Sequence, residues 1–165
     1  MTLISELHFQ GDEQVLDIGC GNGKITSKIA SLVPAGMVLG IDLSQDMINF
    51  AKSTYTQKCC QNLSFEHGDA RYLDFSEEFD LIVSFACLHW VRDHLTVLER
   101  VRRSLKPGGR LLFQCGGKGN AADILKATED LTRSNRYIGY FQGFDFPYYF
   151  YEPENYRSRL RNVDL

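Results

Sequence analysis

Val15-Leu16-Asp17-Ile18-Gly19-Cys20-Gly21-Asn22-Gly23, read VLDIGCGNG, decides the fold of this chain. Gln14 to Ile18 reads as a short buried strand, broken at once by three alternate glycines. Lys24 to Val33 then places Ile25, Ile29 and Leu32 at helical spacing, and Pro34-Ala35-Gly36 stops the helix. A strand, a glycine loop and a helix in that order open a doubly wound α/β domain.

The alternation continues outward from that unit. Met37 to Ile41 reads as a second strand, and Ser44 caps a helix with Met47, Ile48, Ala51 and Tyr55 on one face. Leu63 to His67 and Phe79 to Phe85 are a third and a fourth strand. Asp93 opens a helix whose inward residues are read as Leu95, Leu98, Val101 and Leu105. Lys106-Pro107-Gly108-Gly109 reads as a turn, Arg110 to Cys115 as a fifth strand and Asn120 to Ser134 as another amphipathic helix. A last helix runs from Pro153 to about Arg161. Strands alternating with helices predict a mostly parallel sheet covered on both faces, a doubly wound α/β domain. Ligands then bind beyond the carboxyl ends of the strands.

Composition sets outer limits. With 165 residues, 44% hydrophobic and 24% charged, the chain is a folded domain and not a disordered one. Residues 1–136 are read as its α/β core and 137–165 as an aromatic-rich cover with the last helix. A net charge of −3 argues against nonspecific nucleic-acid or acidic-membrane partners. The longest apolar run, Leu81 to Val91, has about half of the ~20 residues that a membrane span needs. The start, Met1 to Glu6, carries no export signal, so a cytoplasmic location is expected. The five cysteines show no zinc spacing, no metal is expected, and the adjacent Cys59-Cys60 pair is read as unpaired thiols over a redox device.

The glycine loop is selective. Gly19 and Gly21 fit a dinucleotide fingerprint, but Lys24 stands where its third glycine belongs. A phosphate-binding P-loop would need glycine at Ile18 and a hydroxyl at Ile25. Asp17 beside the loop would repel a pyrophosphate, yet it suits a ligand bearing an ammonium. S-adenosylmethionine (SAM) is such a ligand, with an amino-acid end, a sulfonium, a ribose and an adenine. Asp42 ends the second strand, 19 residues after Gly23, where a carboxylate can accept from ribose hydroxyls. Asp69, after the third strand, can accept from an adenine amino group. Three carboxylates at three successive strand ends are more than caps and turns require.

Together VLDIGCGNG (15–23), GIDLS (40–44), Gly68-Asp69-Ala70, FDLIV (79–83) and LKPGGRLL (105–112) resemble the ordered motifs of class I SAM-dependent methyltransferases. That resemblance implies that Gly19, Gly21 and Gly23 line the methionine end and that Asp17 holds the loop and the ammonium. It implies ribose binding by Asp42, adenine packing by Leu43 and Met47, and recognition of the adenine edge by Asp69 and Ala70. Phe85 and Ala86 would lie near the sulfonium, and S-adenosylhomocysteine would be the product. A nicotinamide oxidoreductase is opposed by Lys24. A SAM-binding scaffold without turnover stays open.

On the acceptor side, His89 is the candidate base, weighed against a structural histidine, and Trp90 is a candidate contact weighed against packing beneath the site. The segment Leu88-His89-Trp90-Val91 is similar to methyltransferases of small carboxylic acids, including those of trans-aconitate and juvenile hormone acid. The small-molecule acceptor is therefore expected to be a carboxylic acid, touched by side chains such as Tyr148 and Arg157. Ten of the 20 aromatic residues lie between Tyr137 and Tyr156, where the family builds its acceptor pocket. They are equally readable as an apolar cover for strand five. The resemblance implies a five-stranded sheet in the order 3-2-1-4-5; the family usually adds an antiparallel hairpin after the last helix, and this sequence stops before it. Strand five is therefore expected to be an exposed edge, with the chain a fragment of a longer polypeptide or the edge covered by a homodimer contact, a domain swap or pairing with Tyr148 to Tyr151.

Overall fold

Five strands, β1 (Gln14–Ile18), β2 (Met37–Asp42), β3 (Leu63–His67), β4 (Phe79–Phe85) and β5 (Leu105–Gln114), form one sheet in the order β3-β2-β1-β4-β5. Every pairing is parallel. A computed structural model describes residues 2–55 and 60–165. Cys59 lies outside the described residues, and the reading of the Cys59-Cys60 pair with it; Cys20, Cys87 and Cys115 are free thiols. The helices are α1 (Thr2–Glu6), α2 (Lys24–Leu32), α3 (Gln45–Thr54), α4 (His94–Ser104), α5 (Ala122–Thr132) and α6 (Pro153–Asn162), with 3-10 turns at Ala70–Tyr72 and Leu88–Trp90. Among the described residues no helix is long and apolar enough to cross a membrane.

Alternation along β1 divides the core. Val15 faces a cluster with Ile29 and Val33 of the α2 region, Ile48 and Ala51 of α3, and Phe65. Leu16 and Ile18 face the other layer, with Ile82, Val97 and Val101. Burying both faces of a central strand is what a parallel sheet between two helical layers demands.

Three sequence expectations change. Leu95 is not an inward residue of α4. Asp93 caps the helix by accepting from the Thr96 N–H, so the buried stripe runs His94, Val97, Leu98, Val101 and Ser104, while Leu95 sits one position off it. β5 begins at Leu105 rather than Arg110. Leu105 pairs with Phe79 and Arg110 with Leu81, so residues 106–109 bulge out opposite Asp80, whose carboxylate accepts from Lys106 Nζ at 2.8 Å. Helix α5 is shorter than predicted and buries none of its residues.

The open edge is β5, which pairs only with β4 among the described residues and is mostly half-buried. Tyr151 makes one isolated parallel bridge to Gly117, past the strand's end, rather than pairing along it. The aromatic segment instead lies over residues 89–94. There the Tyr149 N–H donates to the His89 carbonyl at 2.8 Å and the Tyr151 hydroxyl to the Arg92 carbonyl at 2.8 Å.

Candidate functional site

The turn after β1 is built around one carboxylate. Asp42, the last residue of β2, accepts from the Gly21 N–H through one oxygen and from the Ser44 N–H through the other, each at 2.8 Å. The glycine loop and the start of α3 are thereby held at a fixed separation. Gly19 has φ +74, and a Cβ there would collide with the Cys87 side chain, so only glycine lets the loop pass beneath the residues that follow β4. At Gly23, φ +79 and the Phe65 ring 2.6 Å from a would-be Cβ fix the start of α2 in the same way.

A cleft of about 670 Å³ opens above these strand ends. Gly19, Gly21, Asp42, Leu43, Met47, Asp69, Ala70 and Ala86 line it, eight of the eleven residues predicted for the cofactor. The other three lie elsewhere. Asp17 is buried beneath the loop, where its carboxylate accepts from Thr26 Oγ1 at 2.7 Å. Burial pushes its pKa up to about 6, against the Thr26 hydrogen bond and helped by the Asp42 carboxylate. Gly23 caps α2. Phe85 faces a second cavity. The cleft also takes in Ile18, Ile41, Ser44, Gly68, Cys87 and Val91, each within one or two residues of a predicted position. Their proximity to those positions was the only sequence signal for them, since none carries a distinctive side-chain pattern.

The cleft has a polar end at Asp42, Ser44 and Asp69 and an apolar one at Leu43, Met47, Trp90 and Val91. Asp69 caps the turn at Ala70–Tyr72, and its hydrogen bonds from the Arg71 side chain hold its carboxyl below the usual range. Leu43 is 64% exposed and Met47 46%, so two apolar side chains stand open on the wall where a flat ring could cover them. Among the described residues no Lys or Arg lines this cleft. A pyrophosphate would face the Asp42 carboxylate and an Asp69 carboxylate already matched by Arg71, with no cation on the cleft wall, whereas a ribose, an adenine and an amino-acid cation fit.

The acceptor candidates divide. His89, Trp90 and Tyr148 come together: the His89 ring lies 5.5 Å from that of Tyr148, and Trp90 lies 4.4 Å from Tyr148. Trp90 is 53% exposed and lines the cleft rather than packing beneath it. The Gly116 N–H points at His89 Nδ1 over a long 3.4 Å, which makes Nδ1 the acceptor and leaves the neutral ring's proton on Nε2. Burial lowers the His89 pKa, so that neutral form prevails at pH 7. Arg157 is not with them. It lines a separate cavity of about 440 Å³ with His94, Cys115, Tyr151 and Tyr156. His94, which had no partner visible in the sequence, is buried, and its Nδ1 meets the Tyr156 hydroxyl at 3.3 Å.

A family model described as a methyltransferase domain matches residues 10–149. The trans-aconitate 2-methyltransferase of Deinococcus radiodurans is 37% identical over 131 residues, which are 79% of this chain and 48% of that protein. The malonyl-[acyl-carrier protein] O-methyltransferase of Priestia megaterium is 31% identical over 121 residues, 73% of this chain and 43% of that one. The chain thus spans a little under half the length of these curated relatives. In a solved structure, the S-adenosylmethionine dependent methyltransferase of Mesorhizobium loti matches with a TM-score of 0.60 and 29% identity, covering 70% of this chain and 51% of its own. Fold, strand order and the family match agree: the chain belongs to the class I SAM-dependent methyltransferases.

Proposed function

We propose that this chain binds SAM in the cleft above β1, β2 and β4 and transfers its methyl group to a carboxylate oxygen of a small acid. The cleft itself carries the reading, with two carboxylates, exposed Leu43 and Met47 and no lining cation. Asp42 would hold the ribose, Asp69 and Ala70 the adenine edge, and the Gly19–Gly21 backbone the methionine end. SAM supplies an electrophilic methyl on a sulfonium. An acceptor carboxylate oxygen forms the new O–CH₃ bond as the C–S bond breaks and its electron pair stays on sulfur. The products are a methyl ester and S-adenosylhomocysteine, and no proton moves.

The engagement of His89 Nδ1 by the Gly116 N–H, which leaves that ring no free basic nitrogen, supports the acid over an alcohol or an amine. A carboxylate of pKa about 4 is already ionised at neutral pH, and an alcohol or ammonium needs a base. His89 stands beside Trp90, which lines the cleft, and does not itself line it. Two relatives point the same way, one named for trans-aconitate and one for transfer to oxygen on a malonyl group. The protein is proposed to work in the cytoplasm, and β5 to pair with a second copy.

A thermal-shift titration separates the competing classes. SAM or S-adenosylhomocysteine at a hundred times its dissociation constant adds about 2.7 kcal/mol of stability, and NAD adds nothing. Turnover with a panel of carboxylic acids should then yield methyl esters. SAM binding without any product would make the chain a binding module. Products confined to amines would remove the carboxylate reading.

A further inference from the structure

A second cavity, of about 420 Å³, lies against the carboxyl ends of β4 and β5, between α1 and α2. Leu3, Ile4, Ile25 and Phe85 give it apolar walls, and Lys24, Lys28 and Gln114 its polar ones. Its position is set by the cleft's own elements. Lys24 is the first residue after the glycine loop, and Phe85 precedes Ala86, which lines the cleft. Gln114 pairs with Phe85, and its carbonyl accepts from the Ala86 N–H at 2.8 Å. The cavity and the cleft share no lining residue, but they meet the same strand end through chain neighbours, Phe85 in one and Ala86 in the other.

Its polar side is cationic, and both lysines are exposed at its mouth. Lys24 and Lys28 are one helical turn apart and share a face of α2. Among the described residues neither ammonium has a carboxylate within 4 Å. A protein of net charge −3 thus sets two unpaired cations on the wall of an apolar cavity, and none in the neighbouring cleft.

We infer that this cavity is the acceptor pocket and that its ligand carries two anionic groups: a reacting carboxylate at the cleft side and a second carboxylate held by Lys24 and Lys28. The inference rests on the methyl-transfer reading above. The reacting oxygen must keep a lone pair free, and a carboxylate clamped by two ammoniums is a poor nucleophile. The lysine pair therefore serves the far end of the molecule, with an apolar spacer against Ile25 and Phe85. A volume of this size accommodates a small diacid.

The test compares adipate with hexanoate, equal in length and differing by one carboxylate. Each is titrated calorimetrically into protein saturated with S-adenosylhomocysteine, and each is then incubated with SAM and assayed for methyl ester. Adipate should bind at least about tenfold more tightly than hexanoate. Lys28→Gln should bring that ratio towards one, and Lys28→Arg should restore it. The urea-denaturation midpoint without ligand reports folding in each variant. Equal binding of the two acids overturns the inference, as does a preference that survives both Lys24→Gln and Lys28→Gln. A Lys24→Gln variant that loses only S-adenosylhomocysteine affinity also overturns it, because that lysine would then serve the cofactor. Lysine-dependent adipate binding without any ester keeps the pocket and removes carboxyl transfer. Both esters formed at equal efficiency keep the transfer and remove the pocket.

Discussion

Residues up to Leu105 and residues beyond it are built differently. Every buried residue among those described lies at or before Leu105, although more than half of the chain's aromatic rings lie after it. The first region places apolar residues on both faces of short strands, so each is enclosed by helices of two layers. The second stacks rings in a line. Phe141, Phe144, Phe146, Tyr148 and Phe150 follow one another at centroid separations of 5.2 to 6.0 Å, and the line ends against His89 and Trp90. A row one ring thick leaves a side of every ring in water. Aromatic content is therefore not core content, and each ring contact here contributes about 0.5–1.5 kcal/mol beyond its area.

The largest test of that contrast is a pair of truncations. Leu16 is fully buried between β1's neighbours and the α4 layer, so Leu16→Ala should cost about 2–5 kcal/mol in urea denaturation. Phe144 removes a larger side chain but is 52% exposed, and Phe144→Ala should cost less than about 1 kcal/mol. Equal losses would mean that the ring line is a second core.

A binding test comes next. Asp42 restrains the glycine loop and α3 together, and in the proposed site it also accepts from the ribose. Hydrogen bonds to a charged group contribute about 1.5–3 kcal/mol each, so Asp42→Ala should weaken S-adenosylhomocysteine binding by roughly a hundredfold. Tyr140, 85% exposed in the second region, should tolerate serine with no change in that affinity.

A charge inside the first region gives a pH test. The Asp17 carboxyl is raised to about 6 in the folded protein, above its ordinary value of 3.8. Between those values the native state holds a proton that the unfolded chain has released, so this group's contribution to stability falls as pH rises from about 4 to 6. The full shift corresponds to roughly 2–3 kcal/mol against the folded state at pH 7. Asp17→Asn keeps an acceptor for Thr26 and removes the charge. It should gain on the parent protein as pH rises through that window, read as the difference in urea midpoints. A constant difference would show that Asp17 does not titrate there.

The sequence made the first region legible and the second only in part. The strands, the Asp42 and Asp69 positions and the glycine loop follow from period, spacing and strand ends, because two-sided burial leaves a strong apolar signal, whereas the strand order came with the family resemblance. What stayed hidden depends on three-dimensional neighbours. Asp17 reads as a ligand contact but points to Thr26, since strand alternation puts it on the Val15 face, under the loop. Leu95 and Val97 both fit a helical stripe until Asp93 fixes where the helix begins. Arg157 sits in the right segment of sequence yet lines another cavity, because α6 docks on α4 rather than over the cleft. No periodicity reports which helix a tail will meet.

That docking is one of the contacts by which the tail is held to the first region, and it gives the smallest effect. Tyr156 of α6 meets His94 of α4 through one hydroxyl, and the His94 ring packs edge-on against both Tyr151 and Tyr156. Tyr156→Phe keeps the ring and removes the hydroxyl, leaving a buried His94 nitrogen without that partner, at a cost of about 1 kcal/mol. If the tail opens separately from the sheet, the loss falls on the local equilibrium alone. Amide hydrogen exchange in α6 should then accelerate about fivefold, while β1 and β4 exchange at their former rate. Acceleration of β1 by the same factor would join the two regions into one cooperative unit, with the His94–Tyr156 contact as part of the core rather than as the tether of a cover laid upon it.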